Sequence, residues 1–148
     1  GIDKNALIVL GDQRIDVTYK RLGKALQSTD KTKFERLDAT LNDITKQQVP
    51  VVEKWEQEGR RRMRASEVRQ YVESLKTVDT TTQMMDAFKK EVPAVWKAMV
   101  GERDAVLARN LNALPSQLHT VVAVMGLGHI RGVQKILQGK GWRAVSIY

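Results

Sequence analysis

The chain has 148 residues, of which 42% are hydrophobic, 28% charged and 5% aromatic, a composition typical of an ordinary globular protein. It contains no cysteine, which excludes a disulfide-stapled mini-protein, and no apolar run approaches the roughly 20 residues that a bilayer-spanning helix needs. The net charge of +8 is compatible with nucleic acid, an anionic membrane surface or an acidic partner.

The densest basic segment is Lys54 to Arg64, with the sequence KWEQEGRRRMR. Glu56 and Arg60, and likewise Glu58 and Arg62, stand four residues apart, which predicts ion pairs along one helix face. A solvated helix face is therefore the first interpretation, and a binding patch for anions is the second. Nucleic-acid binding is not expected, because no nucleic-acid-binding motif accompanies the charge.

Hydrophobic patterning predicts three short apolar strands around a long helical middle. The strands cover residues 6–10, 120–125 and 143–147, and the helical region covers residues 16–114. Strands that are apolar throughout favour a parallel sheet buried on both faces. A helical segment from Ile130 to Gln138 separates the last two strands, so residues 120–148 are interpreted as a βαβ unit. The expected fold is α/β: one helix-rich domain with a small, mostly parallel sheet.

Within the helical middle, the threonines at Thr80 to Thr82 are expected to cap a helix, and Pro93 suits the first turn of a helix from Ala94 to Leu114. At about 100° per residue, Arg103 falls on the same line of that helix as the apolar residue Leu107. A buried arginine needs a carboxylate, a group of carbonyls or an anionic ligand, so Arg103 is a candidate site residue. An ion pair that only holds the helix in place is the competing interpretation.

Glu102 lies at the edge of the same helix face, where it can point into a cleft. Two further motifs follow predicted strands: Gly11-Asp12 follows the first, and GLGH at residues 126–129 follows the second. The carboxyl ends of parallel strands form the ligand-binding edge of an open sheet, so we expect Asp12 and His129 at one edge. A simple turn at Asp12 and a structural histidine are the competing interpretations.

Three segments together resemble the TraB/PrgY family, the pheromone-shutdown group related to the Tiki proteins. They are LGDQRIDVTYKRL at 10–22, VGERDAVLARNL at 100–111 and VVAVMGLGHIRGV at 121–133. Family members typically have a strand ending in GDR, a GERD helix and a strand running into GxGH, in this order. Here Gln13 follows the Gly-Asp pair, with Arg14 next, and the family's first GxxH motif has no counterpart. The chain therefore resembles the C-terminal part of the TraB domain.

The resemblance implies a metal-dependent, peptidase-like hydrolase cleft that is incomplete in this chain. It implies catalytic roles for Glu102, Arg103 and His129, and a divalent metal, Mn or Co, held by His129 and Glu102. Arg103 would hold a carboxylate or oxyanion, His129 would bind metal or move protons, and Glu102 would be a ligand or a base. The implied binding residues are Gly11, Asp12, Thr18, Arg21, Gly126 and Gly128.

The competing functional hypothesis is a non-catalytic regulatory or membrane-tethering module that binds a peptide or protein partner. It rests on the long charged helical middle and on the missing first motif. A protein or peptide partner is expected in both cases, and membrane association would come only from segments outside this chain. Because so few strands leave a sheet edge and an apolar face uncovered, we expect a homodimer or larger oligomer, with a monomer as the competing outcome.

Overall fold

The computed structural model describes residues 8–118 and 120–145, and within these ranges the chain is predominantly helical. The helices are α1 (Ile15–Gln27), α2 (Lys31–Gln48), α3 (Pro50–Gln57), α4 (Ala65–Leu75), α5 (Val78–Glu91), α6 (Pro93–Trp96), α7 (Glu102–Asn112) and α8 (Leu127–Gln138). A π-helical turn at Lys97–Gly101 joins α6 to α7. Among the helices of the described ranges, none combines the length and the apolar character that crossing a membrane requires.

The main core lies where α1, α2, α5 and α6 meet. Val92 is fully buried, Val95 is 3% exposed, and Ala25 of α1 packs against them. The partly buried side chains around this cluster are Leu22, Phe34, Leu37 and Phe88. Removing these apolar surfaces from water fixes α1 and α5 against the start of α6, and thereby positions the helix that follows.

Helix α6, the π-helical turn and α7 form one continuous rod. The helix predicted from Ala94 to Leu114 is therefore confirmed, although it ends at Asn112. A Cβ atom on Gly101 would lie 2.7 Å from the Trp96 ring, so glycine lets the indole fold over the turn. Lys89 of α5 lies 4.8 Å from the centre of the same ring, a cation–π contact that ties α5 to the rod. These contacts fix the direction of α7 relative to α5.

The cap predicted for the helix at Thr80 to Thr82 is displaced by three residues. Helix α5 begins at Val78, and the hydroxyl of Thr77 accepts a hydrogen bond from the Thr80 N–H at 3.2 Å. Thr80 itself is 2% exposed and lies inside the first turn of the helix. Its hydroxyl bonds to that of Thr77 at 2.7 Å, so the threonine-rich sequence still stabilises this helix start.

The ion pairs predicted from Glu56 to Arg60 and from Glu58 to Arg62 along a helix face are wrong. Helix α3 ends at Gln57, so the four-residue spacing no longer corresponds to neighbouring positions on a helix surface. Glu56 instead lies 3.2 Å from the ammonium group of Lys46.

Arg60 nevertheless pairs internally, as the charge balance of this segment suggested. Its guanidinium donates to both carboxylate oxygens of Glu67, at 2.7 and 3.0 Å, and also to Glu58. These hydrogen bonds, with a further one from the Arg64 N–H, lower the pKa of Glu67 from 4.5 to about 2. The loop between α3 and α4 is therefore tied to the start of α4 by charge-assisted hydrogen bonds.

The predicted α/β fold is wrong, because the described residues form no strand and no sheet. Residues 8–10, 120–125 and 143–145 have no regular secondary structure, and the other residues predicted at 6–7 and 146–147 lie outside the described ranges. Of the predicted βαβ unit, only the helix, α8, is found in the described residues. A strand exists only where a neighbour accepts its hydrogen bonds, and short apolar runs carry no information about that neighbour.

We expect Val95→Ala to lower the free energy of unfolding by about 2 kcal/mol, because the two lost methyl groups leave a cavity in the core. Val124 is 95% exposed, so Val124→Ala should change that free energy by less than about 0.5 kcal/mol. Unfolding in urea measures both values. Equal losses for the two variants would contradict the assigned core.

Candidate functional site

The candidate site is built around the first turn of α7. Three consecutive residues there, Glu102, Arg103 and Asp104, each bind a different part of the chain. Successive residues of a helix project about 100° apart, so one turn of α7 reaches partners on several sides. These partners lie in α1, in the segment before α1 and in α8.

Arg103 binds the carboxylate of Asp12 through two hydrogen bonds. Its Nε donates to Oδ1 at 3.1 Å and its Nη2 donates to Oδ2, while Nη1 reaches the Met99 carbonyl at 3.4 Å. The guanidinium lowers the pKa of Asp12 below its usual range, with smaller contributions from the Gln13 N–H and from His129, whereas burial acts in the opposite direction. The same pairing raises the pKa of Arg103. The sequence expectation that Arg103 must meet a carboxylate or carbonyls is confirmed.

Glu102 is bound by α1. Arg21 donates to Glu102 Oε2 at 2.6 Å and, at 3.4 Å, to the side-chain carbonyl of Gln13. Gln13 in turn donates to the hydroxyl of Thr18, which is 6% exposed. Thr18 and Arg21 therefore position Gln13, which stands where the family pattern has an arginine, and Arg21 connects α1 to α7 through Glu102.

Asp104 binds His129 in the interior between α7 and α8. Asp104 Oδ1 and His129 Nδ1 lie 2.6 Å apart, and the two side chains are 5% and 13% exposed. A carboxylate oxygen accepts hydrogen bonds, so Nδ1 is the donor in this contact and Nε2 lies on the other side of the ring. In the described part of the chain no group bonds to Nε2.

Gly132 makes the contact between α7 and α8 possible. A Cβ atom at this position would lie 1.9 Å from Asp104 Oδ2, so any side chain would collide with the carboxylate. Asp104 and Gly132 were not among the candidate residues from the sequence. The available signal was the family pattern, because Asp104 ends the GERD motif and Gly132 stands three residues after the histidine.

The predicted binding glycines have different local roles. The carbonyl of Gly11 accepts a hydrogen bond from Asn110 Nδ2 at 2.8 Å, which attaches the segment before Asp12 to α7. Gly126 precedes α8 and has room for a Cβ atom, whose nearest neighbour would be His129 Cδ2 at 3.7 Å. A Cβ atom on Gly128 would meet the sulfur of Met85 at 3.2 Å.

Asp12 and His129 come together without the expected sheet edge. They bind the adjacent residues Arg103 and Asp104, and His129 is close enough to contribute to the lowered pKa of Asp12. Helix α7 therefore brings Asp12 and His129 together, which was the role expected of the sheet edge.

An open cleft of about 500 Å³ lies between the start of α1 and α7. Its charged lining residues are Asp12, Arg14, Arg21, Glu102 and Arg109. Arg14 pairs with Asp16 and Arg21 with Glu102, whereas no group in the described ranges forms an ion pair with Arg109. Three arginines and two carboxylates line the cleft, and a guanidinium without an ion-pair partner among the described residues is able to bind an anionic group.

The described residues do not assemble a metal site by themselves. Within the described ranges, no three carboxylate or histidine side chains are placed to share one ion. Glu102 is bound by Arg21 and Asp12 by Arg103, whereas protein metal sites generally use three or more protein ligands. The predicted pair of His129 and Glu102 contacts separate partners, and Mn or Co binding stays a prediction.

A model of the TraB/PrgY/gumN family matches residues 2–144, nearly the whole chain. The chain belongs to the TraB/PrgY/gumN family. The match includes the helical middle as well as the three segments that carried the resemblance. No curated protein and no solved structure matches the chain.

We expect Gly132→Ala to destabilise this TraB-family domain by about 1–3 kcal/mol, because the new methyl group would collide with Asp104 and separate α8 from α7. Gly23 is the matched control, since a Cβ atom there has no neighbour within 4 Å. Gly23→Ala lies inside α1 and should stabilise the protein by about 0.5–1 kcal/mol. Thermal and urea unfolding measure both; equal shifts of the same sign would contradict the assigned close approach.

We expect the Asp12–Arg103 pair to make stability depend on acid pH. Because the folded-state pKa of Asp12 is lowered below 3.8, its contribution is present above about pH 4 and is lost as the pH falls through the folded value. Asp12→Asn should flatten the acid limb of the unfolding free energy measured between pH 6 and about pH 2.5. Asp43 is exposed and has no described ion pair, so Asp43→Asn should keep the wild-type slope; identical slopes for all three proteins would contradict the assignment.

Proposed function

We propose that this domain supplies substrate binding and proton transfer to a peptidase-like hydrolase site. The observation that carries the proposal is the buried contact between Asp104 Oδ1 and His129 Nδ1. This carboxylate–imidazole arrangement fixes the ring and directs its basic nitrogen away from the carboxylate, as a general base or a metal ligand requires.

In the proton-transfer step, His129 is the residue that accepts and returns the proton. Its Nδ1–H stays bonded to Asp104, so Nε2 accepts a proton from an attacking water and returns it to the leaving amine. Asp104 stabilises the positive charge that the ring acquires while it holds this proton. Gly132 supports the step indirectly, because it allows α8 to bring the ring against α7.

The substrate class is inferred from the charge of the cleft between α1 and α7, whose lining residues do not include His129. Arg109 presents a guanidinium without an ion-pair partner among the described residues, and Arg21, which pairs with Glu102, also lines the cleft. A guanidinium binds a carboxylate through two parallel hydrogen bonds. A peptide with a free C-terminal carboxylate or an acidic side chain therefore fits this cleft.

The test is a peptidase assay on a tryptic digest of a carrier protein, followed by mass spectrometry, with and without added Mn or Co. We expect His129→Ala to lower kcat/KM at least about 100-fold, the usual contribution of a general base. His119→Ala is the matched histidine control and should keep the wild-type rate. Asp104→Asn should lower kcat more than it raises KM, because it acts through the orientation of His129. Absence of cleavage with and without metal, or equal rates for both histidine variants, would contradict the proposal.

A non-catalytic peptide-binding module is the second candidate. The observation that favours it is that Asp12, Glu102 and Asp104 are each bound to a basic side chain, so these carboxylates stabilise the fold. The cleft and its unpaired Arg109 would then bind an acidic peptide without cleaving it.

Calorimetric titration with an acidic hexapeptide separates the two candidates. For a binding module we expect Arg109→Gln to weaken binding about tenfold, affinity to fall with added salt, and His129→Ala to have no effect. Lys97→Gln, a charge change of the same size outside the cleft lining, is the control. Cleavage of the hexapeptide that disappears in His129→Ala would reject the binding-only function.

A further inference from the structure

Six exposed apolar residues lie in the segments beside α7, and we refer to them as the apolar face. Its members are Ile8, Val9, Leu10, Leu118, Val122 and Val124, whose exposed fractions range from 43% to 95%. Four of the six, Val9, Leu118, Val122 and Val124, line a single groove of about 550 Å³ against the C-terminal half of α7. Ile8 and Leu10 flank Val9 in the chain. Monomeric soluble proteins rarely leave such a patch uncovered.

The groove is uncharged in a strongly basic protein. The residues that line it, from Val9 through Leu107 and Leu111 to Met125, include no Lys, Arg, Asp or Glu. The chain as a whole carries a net charge of +8, so two copies repel each other wherever their basic surfaces approach. The apolar face is therefore where two copies can meet with the least repulsion.

The area of the apolar face fits a stable contact. Its six residues, backbone included, leave on the order of 800 Å² accessible, and a standard interface uses roughly 800 Å² from each partner. We propose that a second copy of this chain covers the apolar face and forms a two-fold symmetric dimer. In a two-fold contact the same patch is buried on both copies, so an apolar patch needs no separate complementary surface.

The dimer would also restrain the segment of the candidate site that leads into Asp12. Residues 8–10 run directly into Gly11 and Asp12, and Asn110 already holds the Gly11 carbonyl at 2.8 Å. Burying Ile8 and Leu10 against a second copy would restrain the chain just before Asp12. This inference does not depend on the proposed function, because it uses neither His129 nor Arg109.

The test is light scattering on the full chain over a dilution series from micromolar to millimolar. We expect a mass of two chains at high concentration. Leu10→Lys and Val124→Lys alter residues that are 94% and 95% exposed, so they should leave the thermal midpoint of the dilute monomer unchanged and weaken the dimer at least tenfold. Tyr19→Lys alters a side chain that is 65% exposed on α1, and it should keep the wild-type dimer.

A second measurement uses the absence of cysteine from the chain. At the lowest concentration where light scattering gives the mass of two chains, Val124→Cys should give a covalent dimer with a short bis-maleimide cross-linker, and Tyr19→Cys should not. A mass of one chain at every concentration, or a dimer that survives both lysine substitutions, would overturn the proposal. A monomer that floats with phosphatidylcholine vesicles, and no longer does so as Val124→Lys, would also overturn it and identify a lipid surface as the occupant.

Discussion

The buried contact between Asp104 and His129 is the constraint on which the candidate site depends. It joins α7 to α8 at a point where the backbone of Gly132 comes so close that no side chain fits. A buried carboxylate is costly unless it is bonded, so the position of α8 and the orientation of the imidazole are fixed by one interaction. The apolar contacts around the buried Val133 support this placement, but they do not determine which way the ring points.

The neighbouring ion pairs extend the same arrangement to the rest of the site. Arg103 attaches the Gly11–Asp12 segment to α7, and Arg21 attaches α1 to Glu102. Because each carboxylate is bound to a basic group, the negative charge that would attract a metal ion is already compensated. The proposal of an anionic substrate rests on this charge balance in the cleft between α1 and α7, and the proposal of proton transfer rests on the imidazole of His129.

The sequence predicted the helices better than their arrangement. Pro93 and the spacing of apolar residues were sufficient for the α6–α7 rod, because helical periodicity is local information. The strand predictions were wrong because strand pairing depends on partners that are distant in the sequence. The end of α3 was not predicted, although Gly59, which has a φ of +60°, marks it. Arg103 was found from its place on an apolar face. Asp104 was missed, since only the fold shows that an acidic residue next to it is buried.

Nitrogen-15 NMR of the imidazole tests the central claim most directly. In a His119→Gln background His129 is the only histidine, so its two ring nitrogens can be observed without overlap. We expect Nδ1 to carry a hydrogen that exchanges slowly because it is bonded to Asp104, and we expect this pattern to be lost in Asp104→Ala. A ring protonated at Nε2 alone, or a spectrum that Asp104→Ala leaves unchanged, would contradict the assigned contact.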